Sequence, residues 1–296
     1  PPIIRNQIVP DSFVRLIHLT HTTHYRYDQP VKLGMHQLYL RPRDGFDLRI
    51  RSSQLQVDPR ASIIWRRDAF GNSVAEARFE GETESLTIIS EAILEQYYEQ
   101  GPLLPDCLNE RVASIDPALR PFLSNFLDVQ HVTLKPLEDW LLLSESTNMS
   151  TVVDCLAEIA SEIKARLRYV RREEPGIQDP SDTLAEGSGS CRDFAWLMMV
   201  ALRQQDWPSR FVTGYLTSSA HPDASGATHA WLEVFLNELG WVGVDPTCGD
   251  LVRGKHIAVA TSQRPDQLPP VAGSFTGPNQ TNSTLEVTVS AKFIDS

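Results

Sequence analysis

Over residues 13–98, apolar and polar positions tend to alternate with a period of two, the spacing of strands that bury one face. Residues 18–27 are rich in β-branched and aromatic side chains and are predicted to end at the turn Asp28, Gln29, Pro30. Shorter runs follow at 37–41, 48–51, 54–57 and 63–65. They are separated by a break over 42–45 and by turns at Asp58-Pro59 and 68–72. Many short strands with punctuated turns predict an antiparallel β-sandwich over 13–98.

The period then lengthens to that of helices. Leu119, Phe122, Leu123 and Phe126 share a helical spacing, so 99–146 reads as a helical connector. Val152, Leu156, Ile159, Ile163 and Leu167 line one face of a helix over about 147–170. A loop rich in Pro, Gly, Asp and Ser spans 173–190 and ends in Gly187-Ser188-Gly189-Ser190-Cys191. Phe194, Leu197, Met198, Ala201 and Leu202 then form an inward apolar stripe on an amphipathic helix. Strands resume at 210–216, 230–236 and 241–244. A last alternating run at 285–293 predicts a terminal strand that packs back on one of the preceding parts. The fold class is α+β, with a sandwich at 13–98, the connector at 99–146, a core at 147–262 and a C-terminal segment at 263–296.

Composition fits this picture. The chain has 296 residues, 41% hydrophobic and 22% charged, which suits a folded protein with more than one compact part. Its 27 basic and 38 acidic residues give 27 − 38 = −11, which argues against nucleic acid as a partner. The longest apolar run, 194–202, is too short to cross a bilayer, so no membrane partner is expected. The first residues lack the pattern of a secretory leader, which points to the cytoplasm. Four cysteines without a C-x-x-C pair make neither a disulfide framework nor a structural zinc site. No cofactor and no metal are expected.

Each cysteine is therefore weighed singly. Cys191 follows a Gly/Ser loop and opens a helix, where unpaired amides and the positive end of the dipole favour a thiolate. The same amides can hold an oxyanion. His229 precedes one strand and Asp245 ends the next, and an antiparallel pairing brings both to one end of a sheet. A nucleophile, a base and a carboxylate that orients the base would then meet. Cys155 sits among Val152, Leu156 and Ile159 and reads as core. His18, His21 and His24 alternate across a strand and read as structural.

These residues resemble the transglutaminase-like superfamily. The resemblance is carried by Gly187-x-Gly189-x-Cys191-x-Asp193-Phe194-Ala195, Pro208-x-Arg210-x-Val212-x-Gly214-Tyr215, His229-Ala230-Trp231-x-Glu233-Val234 and Gly240-Trp241-Val242-x-x-Asp245-Pro246-Thr247. It is nearest to the bacterial branch of predicted cysteine proteases. That branch is also matched by His24-Tyr25-x-Tyr27, Leu40-Arg41-Pro42-Arg43 and Asp68-x-Phe70-Gly71-Asn72 ahead of the core, and by His256-Ile257-x-Val259-Ala260 after it. The resemblance implies a papain-like core with Cys191 as nucleophile, His229 as general base and then acid, and Asp245 as orienter. Arg192 stands where the family pattern has Gln, and Cys248 is not a family position. Its sulfur is expected near the triad, as packing or as a second thiol able to capture an oxidised Cys191.

The implied reaction is acyl transfer from a peptide or protein substrate through a thioester. Hydrolysis is the favoured outcome because the bacterial branch resembles proteases. Amine transfer to protein glutamine is the alternative within the same chemistry. A peptide-binding scaffold that retains the fold is the alternative outside it.

Overall fold

The computed structural model describes residues 14–97, 115–129, 151–172, 176–217 and 228–294. Six strands come first: β1 (Arg15–Leu33), β2 (His36–Leu38), β3 (Leu48–Asp58), β4 (Ala61–Arg67), β5 (Ser73–Phe79) and β6 (Thr83–Gln96). The middle of the chain supplies the helix α1 (Arg120–Leu123), with a 3-10 turn at Ser124–Phe126, and α2 (Val152–Arg166). It continues through β7 (Arg168–Tyr169), α3 (Pro180–Glu186), β8 (Ser188–Gly189) and α4 (Cys191–Gln204). Then follow β9 (Ser209–Leu216), β10 (His229–Leu236), β11 (Gly240–Asp245), β12 (Asp250–Leu251) and β13 (His256–Ser262). The last strands are β14 (Val271–Ala272), β15 (Phe275–Thr276) and β16 (Ser283–Ile294).

The fold is α+β, with all larger sheets antiparallel. One sheet runs β15-β1-β6-β3, with β16 also paired to β1, and a second runs β14-β2-β5-β4. Tyr27, Val31, Leu33, Leu38, Ala75, Ala77, Leu86 and Ile88 fill the space between them, which makes the expected sandwich. The terminal strand β16 lies along β1 from Leu16↔Ile294 to Tyr27↔Ser283. A third sheet, β12-β11-β10-β9-β13, carries α4 against β10 and β9.

Several sequence expectations are corrected by the fold. The first strand does not stop at Asp28, Gln29, Pro30 but continues to Leu33. Its ladder to β6 skips from Arg26 to Val31, so Pro30 needs no amide donor there. The runs at 48–51 and 54–57 are one strand with an irregularity between Ile50 and Ser52. The helical spacing of Leu119, Phe122, Leu123 and Phe126 yields only one turn plus the 3-10 turn, and Phe122 is exposed. The rest of the connector lies outside the described residues, as does Cys107. The loop at 173–190 contains α3, with Asp179 as N-cap, Pro180 in the first turn and Gly187 left-handed at φ 61°. The helix α4 is not striped. It is buried from Phe194 to Arg203 all round, because the sheet covers one side and α2 and α3 cover others. Arg203 remains satisfied there by the carbonyls of Asp128, Ser209 and Gln263, and burial pulls its pKa down to about 10.

A single hydrophobic cluster joins the two parts of the chain. Ile17, Leu19, Ala92 and Leu94 of the sandwich pack in one cluster with Phe194, Met198, Tyr215 and Ile257 of the core. Polar contacts reinforce the seam: Asn72 Nδ2 donates to the Thr261 carbonyl, and the Thr261 amide donates to Asn72 Oδ1. His18 pairs with Glu91 and His24 with Thr87, as structural strand residues do. No helix among the described residues is long and apolar enough to cross a membrane.

His21 sits at this seam, hydrogen-bonded to Tyr215 Oη at 3.0 Å and to Thr23 Oγ1 at 2.7 Å. Burial lowers its pKa from 6.5 to about 4, so the folded protein keeps it neutral where an unfolded chain would protonate it. The unfolded state therefore binds the extra proton between those two values, and stability falls as pH falls through that window. The expected loss from this group is about 3 kcal/mol between pH 7 and pH 4. Urea midpoints at the two pH values should differ less for His21→Gln than for wild type; equal differences would remove His21 as the cause.

Candidate active site

Cys191 is the first residue of α4, at 9% exposure. The turn before it is fixed by Asp193, which is fully buried. Its carboxylate accepts hydrogen bonds from the Ser190 amide and Oγ, from the Gln178 amide and from Arg172 Nη1. Asp193 thus does more than complement the helix dipole, because it ties three segments around the thiol. Gly189 leaves room for this turn, since a Cβ there would lie 3.0 Å from the Asp193 Cβ and 3.2 Å from the Phe194 ring.

His229 opens β10 and Asp245 closes β11, and their pairing (Leu232↔Val244) places both at one end of the sheet. His229 Nε2 lies 2.8 Å from Asp245 Oδ2. The remaining nitrogen, Nδ1, is left for the nucleophile, and the thiols of Cys191 and Cys248 both lie close enough to the ring to help raise its pKa. His229 thus pairs with Asp245 and has Cys191 beside its ring, which brings the three residues singled out from the sequence to one place.

Asp245 accepts from more partners than the sequence indicated. Oδ1 receives the amides of Thr247 at 2.9 Å and Cys248 at 3.2 Å. Oδ2 receives a second imidazole, His256 Nε2, also at 2.8 Å. His256 comes from β13, a strand absent from the pattern reading except as a family-like tail. Its partner β9 pairs on the other side with β10, so His229 and His256 flank one strand. Gly214 of β9 permits this, because a Cβ there would stand 2.1 Å from the Ile257 carbonyl and 2.6 Å from the Trp231 ring. Trp231 packs against both imidazoles, with ring centroids 6.1 Å from His229 and 5.0 Å from His256.

The electrostatics follow from burial and charge. Burial alone would lower the His229 pKa, but the Asp245 charge and the hydrogen bonds of Asp245, Cys191 and Cys248 outweigh it and raise the value well above 6.5. Burial alone would raise Asp245; the His229 charge and the hydrogen bonds of both histidines instead hold it well below the usual carboxylate range. A buried imidazolium–carboxylate pair is the result. Cys248 is pushed up, chiefly by burial.

Comparison with known proteins accords with this geometry. A family model for the bacterial transglutaminase-like N-terminal region matches residues 17–95, and one for the transglutaminase-like superfamily matches residues 143–246. The chain belongs to the transglutaminase-like superfamily. A crystal structure of a predicted cysteine protease from Cytophaga hutchinsonii shares the fold, with a TM-score of 0.72 at 19% identity over 96% of this chain and 92% of that one. An uncharacterised protein of Mycobacterium tuberculosis is 27% identical over 95% of this chain and 94% of its own length. A protein-glutamine gamma-glutamyltransferase of Pseudomonas aeruginosa is 36% identical over 66 residues, 20% of this chain and 10% of that protein. Within this transglutaminase-like chain, Cys248 and His256 both fall beyond the matched core segment.

Proposed function

We propose that the protein is a cysteine-dependent acyl-transfer enzyme that hydrolyses a peptide or amide bond. The observation that carries this reading is Cys191 at the start of α4, beside an imidazole whose Nε2 is held by a buried carboxylate. In the proposed reaction the Cys191 sulfur attacks the carbonyl carbon while first-turn amides of α4 take the oxyanion. His229 passes a proton to the leaving amine, and the acyl group stays on Cys191 as a thioester. Water then attacks the thioester, His229 accepts its proton, and the acid product leaves with the thiol restored. Asp245 holds His229 in the orientation these transfers need. The substrate class is a peptide or protein.

Amine transfer keeps the same thioester and differs only in what resolves it, and the local identity to the Pseudomonas enzyme favours it as the second reading. A peptide library incubated with and without a primary amine distinguishes the two. Cleaved acids in both arms support hydrolysis, amine adducts on glutamine support transfer, and no product from any peptide removes the enzymatic reading.

The same reading predicts which thiol reacts first. Alkylation consumes the anionic sulfur, and the protonated His229 ring is the group placed to hold one at Cys191. Burial pushes Cys155 and Cys248 up. Brief iodoacetamide treatment near pH 6 should therefore modify Cys191 before either of them, as read by peptide mass mapping. Earlier modification of Cys155 or Cys248 would count against an activated Cys191.

A further inference from the structure

Beside the nucleophile, four side chains converge that hold more than a triad requires. One potential ligand atom from each of His229, Asp245, Cys248 and His256 lies within 4.8 Å of the other three. We infer that these four residues form a binding site for a divalent ion of the zinc class, which shuts the enzyme by capturing its base. The binding itself needs only this geometry; the inhibition rests on the catalytic reading above.

The donor set is one sulfur, two imidazole nitrogens and one carboxylate oxygen, a combination that selects zinc or cobalt over magnesium or calcium. Tetrahedral zinc with its usual bond lengths spaces its ligands roughly 3.3 to 3.7 Å apart. The two Nε2–Oδ2 contacts, at 2.8 Å each, would open by about half an ångström to admit it. The Cys248 sulfur, no more than 4.8 Å from the other three ligand atoms, would settle to the same spacing.

The surroundings are those that orient metal ligands. Asp245 Oδ1 is already fixed by two backbone amides, which leaves Oδ2 for the ion. His256 Nδ1 faces the Arg253 carbonyl at 3.4 Å. As the ion enters, the ring can therefore shift the Nε2 proton it now donates to Asp245 onto Nδ1, which turns an Nε2 lone pair inward without releasing a proton. The turn that carries Cys248 is pinned from α2, where Lys164 Nζ donates to the Cys248 carbonyl at 2.8 Å. Asp245 and Cys248 are three residues apart, but the two histidines come from separate strand ends, so no complete ligand spacing in the sequence announces the set.

Charge and protons balance. As the ion enters, the Cys248 S–H bond breaks and its proton passes to solvent, and the His229 imidazolium gives up its Nε2 proton. Two positive charges arrive and two protons leave. His229 is then bonded to the ion through Nε2 and protonated at Nδ1, a neutral ring that no longer sets a positive charge beside the Cys191 sulfur and has no lone pair to accept a proton.

The test uses full-length protein freed of metal by a chelator and titrated with cobalt(II), then with zinc(II) to displace it. Wild type and Cys191→Ser should both give a saturating one-to-one tetrahedral cobalt spectrum with a sulfur-to-cobalt charge-transfer band. Cys248→Ser should lose that band, and His256→Asn should lose the tetrahedral intensity, with circular dichroism verifying the fold of each variant. A band that persists in Cys248→Ser, vanishes in Cys191→Ser, or never forms in wild type overturns the assignment. Because none of these readouts requires turnover, failure of the metal site and failure of the catalytic reading remain distinguishable. If both stand, zinc should abolish hydrolysis and a chelator should restore it.

Discussion

Cys191→Ala should abolish turnover on any peptide that the wild type cleaves, with a loss on the order of 10⁶-fold in kcat. The reason is that, among the described cysteines, this sulfur is the one that lies both beside the His229 imidazole and at the start of α4. Cys248 also reaches the imidazole, but it sits on the turn after β11 rather than on a helix terminus. The variant should fold, because alanine is tolerated at a first helical position whose turn is fixed by Asp193 and Ser190. A stalled acyl adduct, seen as a mass increase in wild type, should be missing from Cys191→Ala. Turnover within tenfold of wild type would transfer the nucleophile's role elsewhere, with Cys248 the first residue to examine.

Asp245→Asn should keep the fold and lose roughly 10²- to 10⁴-fold in rate. Asparagine can still accept the Thr247 and Cys248 amides through its oxygen. Its amide nitrogen, however, would donate where Oδ2 now accepts from His229 and His256. His229 would answer by exposing an Nε2 lone pair and moving its proton to Nδ1, which leaves nothing to take the proton of the thiol. The variant also removes the charge that raises the His229 pKa, so the ring should titrate lower. Rates measured beside thermal melts separate this loss from unfolding. Undiminished turnover in a folded variant would return Asp245 to a turn-forming role at the end of β11.

The three residues of the candidate triad were legible because each sits where a pattern changes. Cys191 marks the passage from loop to helix, His229 begins an apolar run, and Asp245 ends one before proline. His256 was not legible on those grounds. Its contact with Asp245 depends on β13 pairing with β9 and on a register shift between Ala258 and Ala260, neither of which local periodicity encodes. The helix α3 was hidden for a different reason. Pro, Ser and Asp suggest a loop by composition, yet Asp179, Pro180 and Gly187 are a cap, a first turn and a left-handed stop. The misjudged stripe of α4 shows the limit of periodicity itself. Residues 194–202 are apolar throughout, and their burial on every side is decided by α2, α3 and the sheet rather than by the helix.

The seam between the sandwich and the core limits how such a protein can be recombined. The strands β1 and β6 each contribute to the sandwich interior at one end and to the cluster around α4 at the other. Asn72 grips the strand whose first residue is His256, and the Arg43 amide donates to Ala258 of that strand. An ancestor that traded its sandwich for an unrelated module would have stripped Ile17, Leu19 and Leu94 from the packing around α4 and loosened the strand that brings a second imidazole to Asp245. The two regions can be inherited together or rebuilt together, but neither can be spliced as a cassette.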